Sequence, residues 1–230
     1  MENIDKSWKG FYKFSGIAWI AGALLFFIYI VLGMFVKYAS DSTTAEQLSA
    51  TAQHHGLIRA QIAVYLTSVI SYFVAVPGLY LSLKELKKNW ILPGAALFLL
   101  VGIFDAILRI VFYAVTSIAI NYGNTTNDYL KAGYISVAEF VSGIASIVFP
   151  FITYLYGIAA IVTGIAMFSG VYHKRTAYIL LGSGVFWSMG GIGFVTLPIL
   201  LALIQIGSLL FIMASVLIGL RLIAIDREIA

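Results

Sequence analysis

Asp105 and Arg109 are the only charged residues in an otherwise uncharged stretch from Leu97 to Ser117. At bilayer depth a charged side chain costs roughly 2.5 to 3.5 kcal/mol on insertion scales, so such residues face the protein interior and take partners. Here the two stand four residues apart with the acid first, which places them on one helix face in the favoured orientation for an intrahelical ion pair. Two chemistries fit. The pair is either a self-neutralised rivet that fixes helix packing, or part of a ligand or ion pathway. The same helix face continues through Tyr113 and then Thr116 and Ser117.

Four further polar residues lie at membrane depth. Arg59 and Gln61 sit near the start of the second apolar segment. Gln61, Tyr65, Ser68 and Tyr72 recur at helical spacing and define a polar stripe. Arg59 lies off that stripe and either snorkels to the headgroups or contributes to a pocket. Glu139 belongs to a second stripe with Ser136, Ser142, Gly143 and Ser146, roughly continued by Thr153, as expected of a helix lining a wet crevice. Gln205 is the only strongly polar residue of the last segment. Arg59, Gln61, Asp105, Arg109, Glu139 and Gln205 are therefore expected to converge on one outward-facing cavity. In it Arg59 and Arg109 would contact an anion, and Glu139 would contact a cation or accept a proton.

Other site chemistries lack their residues. Without cysteine there are no disulfides and no thiolate ligands or nucleophiles. His54 and His55 are adjacent, so they point to different helix faces, and the i, i+4 spacing of a helical zinc site is absent. There is no HExxH, GxSxG or spaced acidic metal-binding pair, which disfavours an intramembrane enzyme. Neither a deep histidine for haem nor a mid-span lysine for a Schiff base is present. No catalytic residue, metal or cofactor is assigned.

The elements that must position these residues follow from composition. With 61% hydrophobic residues, 10% charged residues and mean hydropathy +0.99, the chain is far from a soluble domain, in which about 25% of residues are charged. It reads as an all-α, polytopic transmembrane bundle in the cell membrane. The expected single domain, 1–230, has six spans at about 14–36, 57–83, 91–120, 134–168, 176–195 and 199–222. The first apolar segment ends without a cleavage site and reads as a span, not a signal. Lys6, Lys9 and Lys13 with Trp8, Phe11 and Tyr12 form an interfacial anchor. Ala18 and Gly22 make a small-residue pair suited to close helix contact.

A short surface helix is expected over Ala45–Gln53, a bend at Pro77-Gly78, and a third span long enough to tilt or protrude. Asn124-Thr125-Thr126 forms a glycosylation sequon. The fourth helix should be long and kinked near Pro150; two short spans instead would place His173-Lys174-Arg175 outside. Gly182, Gly184, Gly190, Gly191 and Gly193 permit either close packing or an unwound segment. Thr196–Pro198 reads as a tight external turn.

Charge sets the orientation. With both termini cytoplasmic, Lys6, Lys9, Lys13, Lys84, Lys87, Lys88, Lys174, Arg175, Arg221 and Arg227 lie inside. Lys37 and Lys131 lie outside, and Arg59 and Arg109 lie within spans, which accounts for all fourteen basic residues. The net charge of +4 is thus a topological signal and not a nucleic-acid footprint.

Leu57-Ile58-Arg59, Leu108-Arg109, and Phe168-Ser169-Gly170 before a basic turn resemble an uncharacterised family of six-span prokaryotic membrane proteins, known only as a domain of unknown function. The chain departs from that pattern at Glu139, where the family would carry a His-Asp type dipeptide. The resemblance implies the six-span fold and no reaction. Two functions remain open: binding or transport of a small polar or amphipathic ligand, or service as a non-catalytic accessory or structural subunit. The corresponding partners are the lipid bilayer with a small ligand, or a partner membrane protein.

Overall fold

The computed structural model describes residues 5–36, 42–196 and 201–229. Six α-helices follow a short 3-10 turn at Lys6–Trp8: α1 Phe11–Gly33, α2 Thr44–Gln53, α3 His55–Asn124, α4 Asp128–Met167, α5 Lys174–Thr196 and α6 Leu201–Glu228. No strand occurs among the described residues. Among the described residues four helices are long and apolar enough to cross a membrane: α1, α3, α4 and Ala202–Glu228 of α6.

At 70 residues, α3 would reach about 105 Å if straight, against a hydrocarbon core of about 30 Å. It is not straight. Lys87 has non-helical backbone angles (φ −143°, ψ 41°), and the two limbs fold back on each other, with Tyr65 bonded to Asp105 and Arg59 to Thr116. The connection between the spans expected at 57–83 and 91–120 is therefore a one-residue break between helical limbs.

Packing joins the helices into a ring: α1 on the first limb of α3, that limb on the second, then α4, α5, α6 and back to α1. Small residues set the closest crossings. A Cβ on Gly16 would lie 2.5 Å from the Gly219 carbonyl oxygen, and one on Gly184 would lie 2.6 Å from that of Gly157. The glycine tract thus packs within a continuous α5, against α4 and α6. Gly22 of the small-residue pair on α1 lies under the Tyr72 ring, at 3.1 Å from a built Cβ. α1 also donates from Ser15 Oγ (2.6 Å) and Trp19 Nε1 (3.0 Å) to the Ala75 carbonyl, close to Pro77.

Beyond the ring, the second limb of α3 and the first half of α4 continue as a hairpin. α2 docks on it through Leu48, which meets Ala119 and Ala138. A capping box starts α2: Thr43 Oγ1 accepts from the Glu46 amide and Glu46 Oε2 accepts from the Thr43 amide. α4 begins at Asp128, earlier than expected, because Asn127 Oδ1 caps the Tyr129 and Leu130 amides. The helix runs through Pro150 without interruption.

The end that carries Asp5 and Ile229 is densely packed. Tyr12, Leu83, Ile91, Met167, Leu222 and Ile225 are fully buried there. Tyr172 and Ser82 share a 2.8 Å hydrogen bond, Arg221 Nε donates to the Val171 carbonyl, and Asp226 accepts from the Gly10 amide. Asp5 bridges Lys84 at 3.1 Å. Hydrogen bonds from Ser7, joined by Lys84, hold the Asp5 carboxyl down to about 2, so this clasp stays charged at physiological pH. Thr196, the first residue of the expected external turn, ends α5; the rest of that turn, the start of the last span at Ile199, and Lys37 lie outside the described residues.

Candidate functional site

The ring encloses a cavity of about 160 Å³ lined by residues of α1, both limbs of α3, α4, α5 and α6. Its polar centre is the acid–arginine pair. Asp105 is 2% exposed. Its Oδ1 accepts from Arg109 Nε at 3.3 Å, and its Oδ2 accepts from the Tyr65 hydroxyl. Both carboxylate oxygens are therefore engaged, one from its own helix turn and one from the opposite limb.

Arg109 is held by rings as well as by charge. Its guanidinium carbon lies 4.5 Å from the Tyr65 centroid, 5.3 Å from that of Tyr29 and 5.8 Å from that of Phe149. Each such contact contributes about 0.5–2 kcal/mol, more as water is excluded. α1, α3 and α4 thus converge on one cation, since Tyr29, Tyr65 and Phe149 come from three different helices.

Below this polar centre lies an aromatic chamber built around Phe211. Its ring centroid is 4.8 Å from Trp187, 5.4 Å from Tyr72, 5.9 Å from Phe98 and 6.3 Å from Trp19. These separations fit offset or edge-on aromatic packing. Ser68, Thr153 and Ser208 add small polar groups to the wall, but their hydroxyls bond to backbone carbonyls of Gly22, Phe149 and Ile204. The chamber is apolar in practice.

The six residues expected to converge divide into two sets. Asp105, Arg109 and Gln205 line the cavity, with Gln205 exposed at its rim. Arg59, Gln61 and Glu139 are not in its lining. Arg59 clamps the hairpin, donating to Thr116 Oγ1 at 3.1 Å and Ser117 Oγ at 2.9 Å and lying over the Tyr113 ring. Gln61 donates to the Tyr29 carbonyl at 3.3 Å and so fixes the end of α1. Glu139 is exposed on the hairpin, where Thr44 of α2 donates to it at 3.4 Å.

The stripes fare differently from the individual charges. Tyr65, Ser68 and Tyr72 all line the cavity. The exposed α4 stripe of Ser136, Glu139, Ser142, Gly143 and Ser146 continues at helical spacing into Phe149 and Thr153 of the lining. Glu139 thus stands on the face that leads to the cavity, several turns above it. His55 Nδ1 bonds to the Ala52 carbonyl at 2.8 Å, and no cluster of three metal-ligating side chains occurs among the described residues.

Sequence reasoning missed the aromatic half of the site: Trp19, Phe26, Tyr29, Phe98, Tyr156, Trp187 and Phe211. The available signal was weak, because aromatic residues are equally expected at lipid and headgroup positions. Comparison of the chain with protein-family models, with curated proteins and with solved structures finds no match.

Proposed function

We propose that this is a multi-pass membrane protein that binds, and in the fullest reading transports, a small amphipathic ligand in the central cavity. The observation that carries the reading is a chamber with one apolar, aromatic side and one charged pole, Asp105 with Arg109. Binding pockets for small molecules combine these features: mostly apolar walls and a few placed polar groups. Gln205 at the rim and the polar α4 face above it provide a wet approach from the end opposite the termini.

The same proposal includes the topology. The six helical segments of the ring are taken as six crossings, the fourth bent at Pro150, in keeping with the resemblance to a six-span family. Lys84, Lys87, Lys88, Lys174, Arg175, Arg221 and Arg227 gather at the end with the termini, which the positive-inside rule assigns to the cytoplasm. The cavity then opens outward.

A second reading is an accessory subunit that docks through the hairpin. It is favoured by large apolar side chains exposed on α4, with Phe140 at 69% and Ile147 at 75% exposure. In that case the acid–arginine pair fixes helix register only.

The deciding experiment is a thermal-unfolding screen of the purified chain with small anions, amines and lipids, run beside Thr153→Phe, which fills the cavity. A ligand at one hundred times its dissociation constant stabilises by about 2.7 kcal/mol. The reading expects a compound class that stabilises the wild type and loses its effect on Thr153→Phe. If no class shifts the wild type, or the shift survives in Thr153→Phe, cavity binding is wrong and the docking role gains.

A further inference from the structure

We propose that the ligand is a small monocarboxylate whose apolar body is about the size of one aromatic ring, with its carboxylate held on the outer edge of Arg109. This rests on the reading that the cavity binds a ligand, and it names the class.

A guanidinium carries five N–H donors. In Arg109 the Nε–H is given to Asp105, and among the described residues the two terminal nitrogens make no hydrogen bond to a protein group. The guanidinium carbon lies over the rings of Tyr65, Tyr29 and Phe149, at 4.5, 5.3 and 5.8 Å from their centroids. The two terminal nitrogens are what it can offer a ligand. A planar edge with parallel N–H groups matches a carboxylate bidentately, a geometry an amine or alcohol cannot use.

The neighbouring charge limits the head to one negative charge. Asp105 already balances Arg109, so a dianion would add a second uncompensated charge beside mostly apolar walls. A cationic head has less to bind, because both Asp105 oxygens are engaged and Arg109 itself occupies the nearest aromatic faces. The body is set by the chamber. Its volume of about 160 Å³ is close to that of an engineered apolar cavity of about 150 Å³ that admits benzene. Trp19, Tyr72, Phe98, Trp187 and Phe211 supply flat apolar walls that fit a ring or a short branched chain.

The test is isothermal titration of the full chain in lipid nanodiscs with benzoate, benzamide, benzyl alcohol, benzylamine and dihexanoyl phosphatidate. Benzoate should bind tightest, by roughly tenfold or more over its neutral isosteres, as expected for charge-assisted hydrogen bonds. Two variants accompany it. Asp105→Asn combined with Arg109→Gln removes both charges together, so that no buried ion is stranded. It should weaken benzoate roughly tenfold to a hundredfold while benzyl alcohol is unchanged. Arg109→Lys keeps the charge without the fork and should fall between.

Preference for benzylamine or benzyl alcohol overturns the carboxylate assignment while leaving cavity binding intact. Binding of phosphatidate alone overturns it in favour of a lipid headgroup. Benzoate affinity that survives the neutral double variant places the acid elsewhere and overturns it too. If none of the five binds, the ring-sized acid is ruled out, and the thermal screen with Thr153→Phe decides separately whether the cavity binds anything.

Discussion

The acid–arginine pair shows how few groups are needed to make a charge tolerable in a buried, largely apolar interior. Arg109 neutralises Asp105 from one side, Tyr65 donates from the other, and three rings shield the cation. Removing one partner strands the other, which costs about 3–5 kcal/mol for a buried pair. Arg109→Ala and Asp105→Ala should each lower stability by about that amount, whereas the double Asp105→Asn, Arg109→Gln change should cost less than the sum of its singles by about 0.5–3 kcal/mol. Tyr65→Phe, which deletes only the hydroxyl, should cost about 1–3 kcal/mol. Reversible unfolding in mixed detergent micelles measures all of these. Strictly additive singles would mean that the two side chains do not depend on each other and that the pair is incidental to the fold.

At the scale of elements, stability rests on backbone contact at the helix crossings. Gly184 places its backbone so close to α4 that an added Cβ would stand 2.6 Å from the Gly157 carbonyl and 2.9 Å from the Ile161 amide nitrogen. Backbone atoms cannot swing aside as a long side chain can, so the helices must part. Gly184→Ala should therefore destabilise by about 1–3 kcal/mol, the usual range for overpacking. Gly143→Ala, with nothing within 4 Å of the built Cβ, should instead be neutral or stabilise by about 0.5–1 kcal/mol through helix propensity. Melting temperatures of the two variants compare them directly, and equal shifts would remove the close-crossing account. The density of glycine in α5 was legible in the sequence, but not which helices it would meet. α2 was legible as a short polar helix because that is a local feature, whereas the docking of Leu48 against Ala119 and Ala138 is tertiary and was not. The turn over Lys84–Asn89 was legible from its basic residues, but its reduction to a single break at Lys87 was not, because nothing there is a strong helix breaker and one residue's backbone angles decide it.

For the whole molecule, the sequence located the charged pole of the cavity and the polar stripe of Tyr65, Ser68 and Tyr72, since charges and hydroxyls are rare enough in apolar helices to carry a direction. It could not separate the charges that enter the cavity, Asp105 and Arg109, from those that lie outside its lining, Arg59 and Glu139, because position along a helix does not fix which neighbour a side chain meets. Nor could it find the aromatic chamber: α1 is apolar all round, so Tyr29 is indistinguishable by pattern from its exposed neighbour Ile28. Orientation is the part of the reading that spans the entire chain, and the absence of cysteine makes it directly measurable. Single cysteines at Gly133, Lys88, Arg175 and Arg227, all exposed positions, would be challenged in intact cells with a membrane-impermeant maleimide. The six-crossing arrangement expects labelling at Gly133→Cys only, with Lys88→Cys, Arg175→Cys and Arg227→Cys reacting after the membrane is opened. Because α3 turns back at Lys87 and α4 runs unbroken from Asp128 to Met167, Lys88 and Arg175 must share a side if α4 crosses once. Labelling of Arg175→Cys from outside with Lys88→Cys protected would mean that α4 does not make a single crossing, and the outward-facing cavity would lose its direction.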